Sequence, residues 1–415
     1  MTFGADGGKL ISAKTSYNFG MRTIALVLLA LCAALKPALG QQFAFLDRKL
    51  KDLEAWVRED TNDAQRQYYL ALRHWKEHHW RQTDSLLRLA VQLEPRYADA
   101  YLALYFLPFA RRPSLAAEDM RDRVPAAWKP VLEEAEGFYQ RAFRTDPMVN
   151  LQIMGIAFEI EEPQVRDVTT SAWLDYQRYY AWFVDIGLGR YRLARDRLQK
   201  LAQSEFNEAR HPEEVPDYIL WYRGLAAAHS VQYDAAIADF RALLDRQMKK
   251  AQRDEVVHVP LRDNEYRFML ASLHHVAGHT DSAVALYQES LEHDLGLVMA
   301  HTYLASIHEG AGRAADAMLE RRRAAEVNSD DPTALFDLAA SLFNAGQLID
   351  ADEPLRRAIK LNARHSPSYY LLGRVTEELG LPDEAREHYT RFLALAPLRS
   401  AELRADAQQR VRLTK

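Results

Sequence analysis

The sequence predicts an all-α protein built as a solenoid of helix–turn–helix units, and three observations carry that expectation. The first is a repeat of 34 residues toward the C-terminus. Leu270, Leu304, Leu338 and Leu372 stand in phase, as do Ala271, Ala305, Ala339 and Gly373. Gly278, Gly312, Gly346 and Gly380 form a third row, and Ala283, Ala317, Ala351 and Ala385 a fourth. Fifteen of these sixteen residues are identical within their rows, and a period of this length is that of a two-helix repeat. The second observation is negative: no segment sustains period-two alternation, so almost no strand is expected. The third is the scarcity of Gly and Pro, 17 and 16 in 415 residues, which excludes a linker-dominated or collagen-like chain.

At the N-terminus, a segment starting at Met21 carries Arg22, an apolar run from Ile24 to Leu35, and the small-residue triplet Ala38-Leu39-Gly40. That is the layout of a secretory signal peptide cleaved after Gly40. The twelve-residue apolar run is too short to span a bilayer, and no later segment reaches spanning length. Residues 1–20 are polar and unlike a leader, so Met21 reads as the true start. The expectation is an exported chain, periplasmic or extracellular, with residues 1–40 as leader and signal and no integral membrane segment after cleavage. Cys32 is the only cysteine, so the mature chain has none for disulfides, thiolate nucleophiles or cysteine-based metal sites. The mature chain carries 49 basic against 57 acidic residues. Phosphate backbones are bound mainly through Lys and Arg, so nucleic acid is not an expected partner.

Residues 41–63, including FLDRKLKDLEAWV, read as an N-terminal capping helix. Residues 64–263 read as irregular repeats with insertions near 112–129 and 251–263, and residues 264–399 as four regular repeats, 264–297, 298–331, 332–365 and 366–399. Residues 400–415 read as a polar capping helix, which a solenoid needs because its last repeat would otherwise expose an apolar face. Within a regular unit each row has a physical task. Leu followed by Ala or Gly lets the second helix approach the first. The Gly seven residues on supplies the left-handed conformation that ends the first helix. The Ala five residues later is the close-contact point of the second helix, and Tyr287, Leu355 and Tyr389 cover the same seam. Arg321 stands where those apolar residues are expected. Pro354 sits inside a second helix, where a lost hydrogen bond predicts a kink or a delayed start.

These rows resemble the tetratricopeptide repeat family across residues 264–399, and less regularly at 64–97, 175–208 and 217–250. The resemblance implies a right-handed superhelix whose first helices line a concave face where extended peptides bind. At repeat positions 5, 9 and 12, which commonly face that groove, the candidates are Phe268, Thr302, Phe336 and Tyr370; Ser272 and Arg374; and His275, Glu309, Phe343 and Glu377. Aromatic rows beside His and Glu offer stacking together with attraction for basic groups. The bland alternative makes part of the aromatic row inter-repeat core. The Lys/Asn/Arg clamp by which some members of the family grip a C-terminal carboxylate is not expected, since only Asn344 and Arg374 hint at it.

No nucleotide-binding, zinc-protease or nucleophile-elbow spacing is present. Histidines cluster at His74, His78 and His79 and at His274, His275 and His279, near His301 and His308. Imidazoles one helical turn apart can share a metal, but His74, His274 and His308 occupy one repeat position and read first as packing groups. No metal or cofactor is expected. The reading is therefore a non-catalytic scaffold that binds a protein or peptide in the concave groove. Its rivals are a structural or assembly subunit of a cell-envelope complex, acting through the convex face or the insertions, and a His-centred metal-dependent enzyme.

Overall fold

The structure, a computed structural model of the chain, describes residues 48–115, 118, 124–157, 176–252 and 263–413. The expected signal segment 1–40, residues 41–47, most of the insertion 251–263 and part of the insertion 112–129 lie outside the described residues. The described residues hold α-helices, short 3₁₀ and π turns, and no strand. The fold is an all-α, right-handed superhelical solenoid of tetratricopeptide-type repeats.

Helix α1 (Leu50–Glu59) packs Leu53 and Val57 against Leu70 of the first repeat, closing its open end. The first repeat is α2 (Ala64–Lys76) and α3 (Trp80–Leu93), with Asp63 capping α2 by accepting from the amides of Gln65 and Arg66. Helices α4 (Ala98–Arg111) and α5 (Lys129–Thr145) form the second pair on either side of the insertion. A short buried helix, α6 (Ile153–Ala157), leads to α7 (Ala181–Gly187) and α8 (Tyr191–Phe206). The next pair is α9 (Asp217–His229) and α10 (Tyr233–Gln252).

The regular block then runs α11 (Asp263–Val276) and α12 (Thr280–His293), α13 (Val298–Gly310) and α14 (Ala314–Val327), α15 (Pro332–Asn344) and α16 (Leu348–Leu361), and α17 (Ser366–Glu378) and α18 (Pro382–Leu395). Helix α19 (Ala401–Leu413) ends it.

The turn inside each unit shows why the 34-residue frame holds. Gly278, Gly312, Gly346 and Gly380 have φ of +81°, +72°, +73° and +77°. The residue after each glycine donates its amide to a carbonyl five residues back, as His279 does to His274 and Leu381 to Thr376. This six-to-one bond is the Schellman ending of a helix. The same turn occurs at Gly189, and also at His78 (φ 58°) and Val231 (φ 61°), where the residue is not glycine. The backbone therefore keeps the repeat in phase at 64–97, 175–208 and 217–250, where side-chain identity has drifted.

Close approach is visible where the first helix carries glycine. A Cβ on Gly373 would lie 2.7 Å from the ring of Tyr389, and one on Gly224 would lie 2.8 Å from that of Phe240. Both rings are fully buried, so the glycines make room for them.

Pro354 does not break its helix. α16 is continuous from Leu348 to Leu361 with Pro354 buried inside it, so the helix is not delayed past the proline. One lost rung is tolerated because tertiary burial of the ring and of Leu355 holds the element. Helix α19 is more than a polar cover. Ala407 stands 34 residues after Gly373, is fully buried, and packs with Tyr389 and Phe392. α19 is thus seated in the register of a first helix of the repeat. Asp406 fills the position held by leucine in the units before it.

Candidate partner-binding groove

The expected groove is framed by a recurrent reach. In three of the four regular units the side chain 24th in the unit extends back to position 9 or 12 of its own first helix, Leu355 being the exception. Tyr287 donates its hydroxyl to Ser272 Oγ at 3.3 Å and lies 3.5 Å from His275 Nδ1. Tyr389 donates to Glu377 Oε2 at 2.6 Å. Arg321 makes the same reach with a guanidinium, to Ser306 Oγ and Glu309 Oε2, both at 3.3 Å. It also reaches Asp337 Oδ2 at 3.5 Å. Arg321 is therefore a buried cation inside a polar cluster, where sequence alone showed only a missing apolar residue. Its stem crosses the seam and its head takes the groove hydrogen bonds.

This geometry sorts the groove candidates. Phe268 is 1% exposed, stacked on Tyr303 at 6.2 Å between ring centres and tilted against Tyr287. Thr302 is buried, and Ser272 is buried with its hydroxyl donated to the Phe268 carbonyl. These three are buried in the core, and Tyr303 of the following helix closes over Phe268. Three of the expected contact residues are thus buried in this structure. Phe336 is half-buried and meets His365 edge-on at 5.6 Å.

Tyr370 and Glu377 are occupied by the chain itself. Tyr370 donates to Asp406 at 2.8 Å, and Arg410 reaches Glu377 at 2.5 Å, so α19 lies over this end of the groove. His275 is half-buried, and burial holds its imidazole below the usual pKa, hence neutral at pH 7. What remains open is a patch on α13, α15 and α17. Glu309 is exposed, with Ser341 Oγ 3.5 Å from its carboxylate. Arg374 lies over the Phe343 ring at 5.2 Å and pairs with Glu378 at 3.2 Å. The patch offers two carboxylates, Glu309 and Glu378, one guanidinium over an aromatic ring, and the Ser341 hydroxyl.

The histidine clusters resolve into side-chain pairs. His74 and His79 face each other through Nδ1 atoms 3.1 Å apart, and His274 and His279 do so at 3.2 Å. His301 Nδ1 meets Glu320 at 2.6 Å in the core. Burial lowers the pKa of both His74 and His274. Among the described residues, His211, Glu213 and Glu214 alone form a three-residue group with converging metal-ligand atoms, and all three are exposed at a short 3₁₀ turn.

A second feature had no signal in the sequence. The inter-repeat turns of the first units meet those of the last, along one edge of the solenoid. Arg144 Nη2 contacts Asp294 at 2.9 Å, and Arg96 Nη1 contacts Asp337 at 2.8 Å. Arg96 Nη2 lies 3.7 Å from Asp331. Asn362 donates to the Gln92 carbonyl at 2.7 Å, and Arg399 pairs with Glu94 at 2.9 Å. Outermost, the Leu398 amide donates to Asp60 at 2.6 Å, and Asn62 to the Ala394 carbonyl at 3.0 Å. Earlier turns pair with later ones in reverse order, so the two arms close on each other.

Residues 310–392 match the family described as anaphase-promoting complex, cyclosome, subunit 3. No curated protein matches the chain. Among solved structures, a crystal structure of MamA protein is similar at 23% identity and a TM-score of 0.33, over 36% of this chain and 80% of that one. The C-terminal part of a TPR repeat-containing protein from Cytophaga hutchinsonii is similar at 15% identity and a TM-score of 0.40, over 52% and 78%.

Proposed function

We propose that the chain is a non-catalytic scaffold that holds a protein or peptide partner on the open part of the concave face, at Glu309, Phe343 and Arg374. The observation that supports this reading is the exposed Glu309, met by Ser341 of α15, together with the Arg374 guanidinium over Phe343 of the same helix, on a face where Phe268, Ser272 and Thr302 are buried and α19 covers Tyr370 and Glu377. Aromatic and arginine side chains are the residue types that anchor interfaces. The acidic and hydroxyl groups beside them suit a segment with basic and amide donors. The reading includes export, with the segment ahead of Gln41 removed and the solenoid working in the periplasm or outside the cell. Mass spectrometry of the mature N-terminus from the exported fraction tests that part.

The groove is tested by the triple variant Glu309→Ala, Phe343→Ala, Arg374→Ala in the full chain. Affinity purification of the unsubstituted chain from native envelope, followed by mass spectrometry, should give a partner whose recovery falls at least about tenfold with the variant. Recovery of every partner at the unsubstituted level, with helical content unchanged, would sink the reading.

A further inference from the structure

The edge contacts between the two arms differ in kind from the contacts that hold each arm together. Beyond Ile307 the apolar core divides. The cluster running from Tyr68 to Ile307 is separate from those around Leu342, Leu335 and Phe392, and no apolar cluster of described residues joins the first repeat to the last two. There the arms meet through ion pairs and single hydrogen bonds. Such pairs, partly open to water, are weak and screened by salt.

The arginines at this edge are also poorly satisfied. Arg96 bonds Asp337 through Nη1, while its buried Nε and Nη2 make no hydrogen bond. Arg144 likewise leaves Nε without one. Arg374 and Arg386, inside one arm, also leave Nε without a bond, but Arg96 leaves two of its three nitrogens so, and Arg223 shows the opposite extreme. Its Nε, Nη1 and Nη2 all bond, to Asp239, Glu208 and Gln199. A buried donor left unmade is costly, so the edge is a contact that tolerates release.

Asp337 receives Arg96 from the other arm and Arg321 from its own, with Asp331 beside it. We propose that this edge is a latch. Asp331 and Asp337 form a guanidinium-docking surface that the chain's own Arg96 fills when the arms are closed. A partner segment carrying an arginine takes the place of Arg96 and parts the arms. The partner half rests on the scaffold reading above and names its chemistry; the closure itself does not depend on that reading.

The test uses the full chain and a labelled synthetic peptide copying residues 90–99. By small-angle scattering, Arg96→Gln should enlarge the radius of gyration at low salt with helical circular dichroism unchanged. The unsubstituted chain should approach the same value as salt rises to about 0.5 M. By fluorescence anisotropy the peptide should bind Arg96→Gln at least about tenfold more tightly than the unsubstituted chain. That binding should vanish when Asp337→Asn is added, or when the peptide's own arginine is replaced by glutamine. A radius that stays fixed across salt and substitution overturns the latch, and peptide binding indifferent to its arginine overturns the docking surface. If Arg96→Gln loses helix, the salt series of the unsubstituted chain decides the closure. Arg96→Lys, which keeps charge but not the fork, then decides the recognition by binding the peptide more tightly than the unsubstituted chain does. Failure of the groove triple variant would leave the scattering result standing.

Discussion

Val231 holds a left-handed backbone, φ 61°, at the turn position that glycine fills in the four regular units, and its side chain is 71% exposed. A β-branched residue there is strained by Cβ against the neighbouring carbonyl. With almost no packing to lose, Val231→Gly should stabilise the protein by about 1 kcal/mol, read as a higher urea midpoint at unchanged slope. Gly373→Ala should act in the opposite sense, by roughly 1–3 kcal/mol, because its Cβ would meet the buried Tyr389 ring.

His365 adds a dependence on pH. Burial lowers its imidazole from 6.5 to about 4, with Asp331 opposing and Arg96 reinforcing. The unfolded chain then binds a proton in a window where the folded chain does not. The stability it contributes is complete above about pH 6.5 and is lost as pH falls toward 4, roughly 3 kcal/mol in all. Asp99, raised by burial to about 6, works the other way, so the comparison must be with His365→Gln rather than between raw values. The advantage of the unsubstituted chain over that variant should shrink by roughly 2 kcal/mol between pH 7 and pH 5. Equal differences at both pH values would mean that His365 is not held neutral.

At the scale of the element, the frame was legible because small residues and glycines are demanded by backbone geometry, which cannot be met in another way without strain. Leu270, Ala271 and Gly278 gave the unit before any coordinate. Position 15 was not legible in two of the irregular units, since His78 and Val231 accept strain that a sequence pattern does not record. The groove was read only in part. Spacing placed Phe268 and Thr302 on the right helices, but it could not say that Tyr303 closes over Phe268. Nor could it say that α19 would cover Tyr370 and Glu377, because that cover comes from the next element.

The in-phase seating of α19 carries its own test. Ala407 occupies the row of Ala271, Ala305 and Ala339 and is completely buried. Ala407→Leu should force the helix off Tyr389 and Phe392, costing about 1–3 kcal/mol. Amide hydrogen exchange should then rise in α18 and α19 while α11 and α12 keep their protection.

For the whole molecule, the question is how a quasi-one-dimensional array behaves when its two ends touch. In an open solenoid, stability is a sum of repeat terms and nearest-neighbour interfaces, and a disturbed end frays without consulting the other. Here Asp60 with Leu398, and Arg96 with Asp337, tie units that are 338 and 241 residues apart in sequence. Among the described residues those ties carry no apolar core of their own beyond Ile307, yet they couple the first repeat to the last two. No repeat pattern encodes this, because the partners lie in different units with no shared spacing.

The coupling should appear in unfolding. In the unsubstituted chain at low salt, hydrogen exchange in α2 and in α17 should respond together to mild urea. In Arg96→Gln the two helices should separate, with α17 opening at lower urea than α2, because the clusters around Leu342 and Phe392 are smaller than the one that begins at Tyr68. A variant in which α2 and α17 still lose protection at the same urea concentration would show that coupling runs through the repeats between them, and not across the edge.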